Sequence, residues 1–151
     1  MFLQQKIHFI GIGGIGMSAI AKILFQKGFK ISGSDQNVNQ IVKDLKKKGV
    51  KVFKYHSISN VDDVDIVVYS SAIKKNNVEL KAAKKRNIPI FSRAMMLAEV
   101  MRLKPSITVA GSHGKTTTTS LIACILENAG LDPTVINLSL IHISEPTRLD
   151  D

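Results

Sequence analysis

At 151 residues the chain has room for one ordinary domain, or one domain and the start of another, and its 44% hydrophobic and 22% charged residues exclude a disordered or fibrous protein. No apolar run approaches the ~20 residues that span a bilayer, the start shows no signal-peptide pattern, and a single cysteine excludes a disulfide framework, so a cytoplasmic protein is expected, with Cys124 as a small buried side chain. The net charge of +9 invites a nucleic-acid partner, but the lysines gather at predicted helix ends, as in Lys46 to Lys48 and Lys84 to Arg86, and the 5% of aromatic residues do not interleave with them, so neither nucleic acid nor membrane is expected as a partner.

Lys6 to Ile10 is a short apolar run that reads as a strand, followed by a glycine turn and a helical pattern from Gly14 to Lys27 that stops at Gly28. Phe29 to Gly33 is the second predicted strand. Asn37, with Gln40 three residues later, resembles a capping box and predicts a helix ending at Gly49. Val50 to Phe53 and Asp65 to Tyr69 are the third and fourth strands. Asn76 with Glu79 predicts the start of the next helix, Ile88 to Phe91 is the fifth strand, and Ser92 is placed to cap a helix running to Leu103. Strands alternating with helices imply a parallel sheet covered on both faces, a doubly wound, Rossmann-like α/β domain.

Pro105 interrupts this order. Ser106 to Ala110 then reads as a new strand, with a second glycine turn and a helix from Lys115 to Ala129 that stops at Gly130. A second α/β unit starts here and has too few residues left to be completed, so apolar faces after Pro105 are expected to lie exposed.

The first turn, Gly11-Ile12-Gly13-Gly14-Ile15-Gly16, satisfies GxGxxG between a strand and a helix. In that setting Gly11 permits the tight turn, Gly13 lets a diphosphate approach the backbone, Gly16 lets helix pack on strand, and the helix N-H groups face the anion. Asp35, after the second strand, is placed to read a ribose hydroxyl. NAD, FAD and a UDP-sugar all carry a diphosphate that such a turn can hold.

The second turn, Gly111-Ser112-His113-Gly114-Lys115-Thr116-Thr117, is the sharper signal. Its backbone N-H groups can wrap the phosphates of ATP, Lys115 can reach the β and γ oxygens, and the Thr116 hydroxyl can ligate Mg²⁺. Val109 stands where the common phosphate-binding loop has its first glycine, so the pattern is GxxGKT. His113 is read as shaping the turn. His8, His56, Met95, Met96 and Met101 are read as ordinary strand, loop and helix-core residues.

GIGGIGMS and AGSHGKTTTT in this order, together with SGSD at Ser32 to Asp35, YSSAI at Tyr69 to Ile73 and SRAMMLAEVM at Ser92 to Met101, resemble the Mur ligase family over Lys6 to Asn137. The resemblance implies an ATP-dependent carbon-nitrogen ligase that joins L-alanine to UDP-N-acetylmuramate through an acyl phosphate, in peptidoglycan precursor synthesis. It implies a UDP-sugar site made by Gly11, Gly13, Gly14, Ile15, Gly16, Met17 and Ser18, with Asp35 and Ser70, Ser71, Ala72 and Ile73 nearby. Lys115 and Thr116 would be catalytic, on an ATP and Mg²⁺ site at Gly111 to Thr117. Residues 1–104 would be the UDP-sugar domain and 105–137 the start of a P-loop ATPase domain. Residues 138–151 match nothing in the family, resemble translated adapter sequence and are expected to be non-native, so the chain by itself is expected to be inactive. Two rivals stay open at this stage: a family member that recycles a muramoyl peptide, and an NAD(P)-binding dehydrogenase or nucleotide-sensing module, which would leave the second turn unexplained.

Overall fold

The computed structural model describes residues 5–137. The expected non-native stretch 138–151 lies outside the described residues. The chain divides after Pro105 into two compact units.

In the first unit five strands, β1 (Lys6–Ile10), β2 (Lys30–Ser34), β3 (Lys51–Phe53), β4 (Ile66–Tyr69) and β5 (Ile90–Ser92), form one parallel sheet in the order β3-β2-β1-β4-β5. Its helices are α1 (Ile15–Gln26), α2 (Gln40–Lys47), α3 (Val78–Lys85) and α4 (Arg93–Met101), with a 3-10 turn at Ile58–Val61. β1 is central and pairs with β2 and β4, so it is buried on both faces, as a near-continuous apolar run requires. Ile7 and Phe9 pack with Met17, Ile20 and Leu24 of α1, Leu45 of α2 and Met96 of α4. On the opposite face Ile10 and Val67 meet Val61, Leu80 and Ala83.

The helix starts differ from expectation by one or two residues, each for a local reason. Asn39, not Asn37, caps α2 by accepting from the Val42 N-H; the Asn37 N-H is taken by Asp35 Oδ1 at 2.9 Å. Asn77, not Asn76, caps α3, its Oδ1 accepting from Glu79 and Leu80 N-H. Ser92 caps α4 as expected, and α4 stops at Met101. Met96 is buried, whereas Met95 is exposed and therefore not helix core.

The second unit contains α5 (Lys115–Asn128), and the chain leaves it through Gly130 at φ +76°. No strand forms over 106–110. A strand exists only within a ladder, and the one sheet among the described residues belongs to the first unit. α5 buries none of its residues: Leu121 and Ile125 are exposed, and so is Cys124, against the expectation of a buried thiol.

Candidate nucleotide-binding site

The strand order reverses beside β1: the chain leaves β1 for β2 on one side, and β4 is added on the other. Connections on either side of such a switch point diverge and leave a crevice outside the carboxyl ends of the strands. The turn after β1 and the segment after β4 both stand at this crevice. A methyl group on Gly11 would lie 3.3 Å from Ser70 Cβ and 3.4 Å from Ile73 Cδ1, so the two segments are in contact. Gly11 has φ +83°, a conformation that favours glycine.

Three backbone anchors fix the turn. Ser34 O accepts from the Gly11 N-H at 2.8 Å and the Ile12 N-H at 3.2 Å; Asp35 Oδ2 accepts from the Gly13 N-H at 2.8 Å; and Asn39 Nδ2 donates to Gly13 O at 2.9 Å. The end of β2 and the cap of α2 thus hold the loop from one side. The face left to solvent is Gly14 and Ile15, opposite the exposed Ser71 and Ala72, while Ser70, Ile73 and Asp35 are partly covered. No side chain caps α1, so its first-turn N-H groups remain unmatched by a protein cap, the arrangement that favours an anion.

Several expected site residues take different parts. The space beside Gly13 is filled by protein: a Cβ there would lie 2.8 Å from Asp35 Oδ2 and 3.0 Å from Val42 Cγ2. Glycine at 13 therefore serves the Asp35 contact, and Asp35 braces the turn. Gly16 faces the Arg93 side chain of α4, whose Cδ would lie 3.2 Å and Nη1 3.3 Å from an added Cβ, in place of the expected helix-strand contact. The side chains of Met17 and Ser18 are buried, so these two positions can offer a ligand only backbone.

Arg93 is a residue that the sequence reading missed. It brings a guanidinium to the first turn of α1 and has no anionic partner among the described residues. The available signal was its place: a cation in the first turn of a helix opposes the helix dipole.

A buried polar cluster behind the site was missed as well. His8, read as an ordinary strand residue, and Glu79, read as a capping residue, are fully buried, and the side chain of His56 is 15% exposed. Glu79 Oε2 accepts from Ser34 Oγ at 2.6 Å and His56 Nδ1 at 2.7 Å; Oε1 accepts from Asn60 Nδ2 at 2.7 Å and meets His8 Nε2 at 3.3 Å. His8 Nδ1 lies 2.9 Å from Ser32 Oγ. Burial pushes the Glu79 carboxyl up, but hydrogen bonds from His8, Ser34 and Asn60 outweigh it and bring it down to about 2.

In the second unit, Gly114 enters α5 at φ +74° and ψ 5°, with no side-chain cap on the helix. Lys115 Nζ donates to Gly111 O at 2.7 Å, so its ammonium lies back over the loop. Gly111, Ser112, His113, Gly114, Thr116 and Thr117 are all exposed. An uncapped helix start and an ammonium over a glycine loop suit a phosphate group, and a threonine hydroxyl such as that of Thr116 is an oxygen donor of the type hard cations take.

The first unit is thus a doubly wound α/β domain, with a glycine turn at the switch point of its parallel sheet. The chain belongs to the Mur ligase family: the family model described as "Mur ligase family, catalytic domain" matches residues 6–105. Among curated relatives, the UDP-N-acetylmuramate--L-alanine ligase of Aquifex aeolicus is 59% identical over 132 residues, covering 87% of this chain and 29% of that protein. The enzyme of the same name from Rickettsia bellii is 57% identical over 138 residues, covering 91% of this chain and 29% of that protein. The crystal structure of the UDP-N-acetylmuramate-alanine ligase of Thermotoga maritima matches with a TM-score of 0.80 at 36% identity, over 88% of this chain and 31% of that one. A murein peptide ligase from Psychrobacter arcticus matches with a TM-score of 0.78 at 30% identity, over 89% of this chain and 30% of that one. The chain therefore spans less than a third of the length of these relatives. Among the described residues no helix is long and apolar enough to cross a membrane.

Proposed function

We propose that the whole protein is an ATP-dependent ligase of the cytoplasm that joins L-alanine to UDP-N-acetylmuramate. In this reading residues 6–105 hold the UDP-sugar, and the turn at 111–117 contributes to the ATP site. The observation that carries it is the pairing of a glycine turn at a parallel-sheet switch point with a Gly-Lys-Thr-Thr loop further along the chain. Relatives named for the L-alanine reaction, at 56–59% identity, support the choice of amino acid. The structural likeness to that enzyme, at 36% identity against 30% for the murein peptide ligase, leans the same way.

The diphosphate is received by the backbone at Gly14 to Gly16 with Arg93 beside it, and Ser70 to Ile73 close the crevice. Asp35 acts as the brace of the turn. The carboxylate of the sugar's lactyl group attacks the γ-phosphorus of ATP, ADP leaves, and the alanine amine displaces phosphate to form the amide. Lys115 neutralises oxygens of the phosphoryl group as charge shifts towards ADP. The Thr116 hydroxyl would hold Mg²⁺, which when bound would supply further neutralisation of the same charge.

Calorimetric titration of the 151-residue chain with UDP-N-acetylmuramate, and separately with NAD, tests the reading. Saturable binding of the UDP-sugar alone is expected. Binding of NAD alone would replace the ligase by a dinucleotide module.

A further inference from the structure

Burying a carboxylate costs its hydration unless hydrogen bonds replace it, and four groups converge on Glu79 to do so. Their connectivity points to a further role. The four donors on Glu79 come from separate parts of the chain: His8 from β1, Ser34 from the last position of β2, His56 from the connection after β3, and Asn60 from the 3-10 turn. Asn60 Nδ2 also donates to Tyr55 O at 2.8 Å, fixing the same connection a second time. Glu79 itself stands in the first turn of α3, just beyond Ser70 to Ile73. One buried carboxylate thereby joins the carboxyl-terminal ends of β2, β3 and β4.

Ser34 links this cluster to the ligand side. Its hydroxyl is held by Glu79, and its main-chain oxygen receives the Gly11 and Ile12 N-H groups. The next residue, Asp35, receives the Gly13 N-H. Three successive N-H groups of the turn thus hang from a two-residue segment whose side chain at 34 is fully buried and tied to α3. Rotation or retreat of Ser34 moves the turn relative to Ser70 to Ile73, which follow from the other side of the crevice.

We propose that Glu79 is a positioning residue for the nucleotide site, acting through Ser34 to set the turn at Gly11 to Gly13 against the β4 connection. Its effect on ligand affinity rests on the UDP-sugar reading; its effect on the geometry of the turn does not. Glu79→Gln keeps the shape of the side chain and puts an N-H₂ group where two donors converge. Ser34→Ala removes the link and leaves the carboxylate.

The test is made on the full 151-residue chain, with the backbone amide resonances of the ligand-free protein and the affinity for UDP-N-acetylmuramate measured for both variants and for the double variant. Beyond the substituted positions and their direct partners, shifts are expected at Gly11, Ile12, Gly13 and the 70–73 segment, with Leu24 and Val100, near the carboxyl-terminal ends of α1 and α4, unchanged. Affinity should fall about tenfold in each single variant, the size typical of losing a support one residue behind a ligand. The double variant should fall no further, because both changes cut one path. Unmoved Gly11 to Gly13 amides in a folded variant, or additive losses, would overturn the proposal. Should Glu79→Gln fail to fold, the same amides in Ser34→Ala decide it. Failure of the parent chain to bind the UDP-sugar would instead remove the functional reading, with the ligand-free amide shifts still deciding the positioning role.

Discussion

Replacing Gly13 by alanine separates two reasons for a glycine at that position. If the space beside its Cα is kept for ligand, alanine weakens binding and leaves stability untouched. The structure fills that space with protein: the new Cβ would lie 2.8 Å from Asp35 Oδ2, 3.1 Å from Asp35 Cγ and 3.0 Å from Val42 Cγ2. A methyl group cannot rotate out of these contacts, so Asp35 must withdraw and give up its 2.8 Å bond from the Gly13 N-H. Losing a hydrogen bond to a charged acceptor costs about 1.5–3 kcal/mol. Val42 is 1% exposed, and overpacking against such a side chain adds about 1–3 kcal/mol. A total of about 3–5 kcal/mol is a large share of the ~5–15 kcal/mol that holds a domain together. At about 4–8 °C per kcal/mol for a unit of this size, Tm should fall by about 15 °C or more. Thermal unfolding followed by circular dichroism measures it. On an Asp35→Ala background the same change should cost about 1.5–3 kcal/mol less, because that hydrogen bond and the nearest obstacle are already gone. A stability loss below about 0.5 kcal/mol, with binding abolished, would refute the packing argument and restore the ligand as the reason for the glycine.

Gly33→Ala should be still more damaging, since its Cβ would meet Ile12 Cδ1 at 2.6 Å, Ile12 Cβ at 2.7 Å and the immovable Phe9 O at 2.8 Å; about 3 kcal/mol or more is expected from urea midpoints. Glu79 is depressed from 4.5 to about 2 in the folded chain, so its stabilisation is full above pH 4.5 and is lost as pH falls towards 2. That contribution is on the order of 3 kcal/mol, and it should be missing from the acid limb of unfolding curves of a folded Glu79→Gln variant. Arg93→Ala should weaken UDP-N-acetylmuramate binding about tenfold in calorimetry while moving Tm little, because the guanidinium has no anionic partner among the described residues. If the whole protein is the proposed ligase, Lys115→Ala in it should slow L-alanine-dependent phosphate release by about 10²–10³-fold, the loss typical of one preorganised charge-stabilising group.

The two glycine turns were legible because their geometry is local: strand, glycine spacing and helix lie within a few neighbouring residues, and the alternation of elements follows from the same short-range patterns. The glycine roles were only half legible. Gly11 owes its identity to its own φ of +83°, which the turn pattern implies, whereas Gly13 owes its own to Asp35 and Val42, and Gly16 meets Arg93, all brought in by folding. The Glu79 cluster was illegible for the same reason, since its partners Ser34 and His8 stand 45 and 71 residues away. One trace was visible: His8 is a polar residue inside a strand otherwise apolar from Ile7 to Ile10. Asn37 and Asn39 offer the same local chemistry, and the choice between them fell to Asp35, which takes the Asn37 N-H. The stretch 106–110 has strand-like residues, but β structure needs a second strand to pair with.

The central claim is that a nucleotide-linked sugar sits at the switch point between β1 and β4. Mapping backbone amide shifts of the 151-residue chain during addition of UDP-N-acetylmuramate tests it most directly. The account predicts saturable shifts at Gly14, Ile15, Gly16 and residues 70–73, with NAD leaving them unmoved. Shifts gathered elsewhere, or produced by NAD and not by the UDP-sugar, would contradict it.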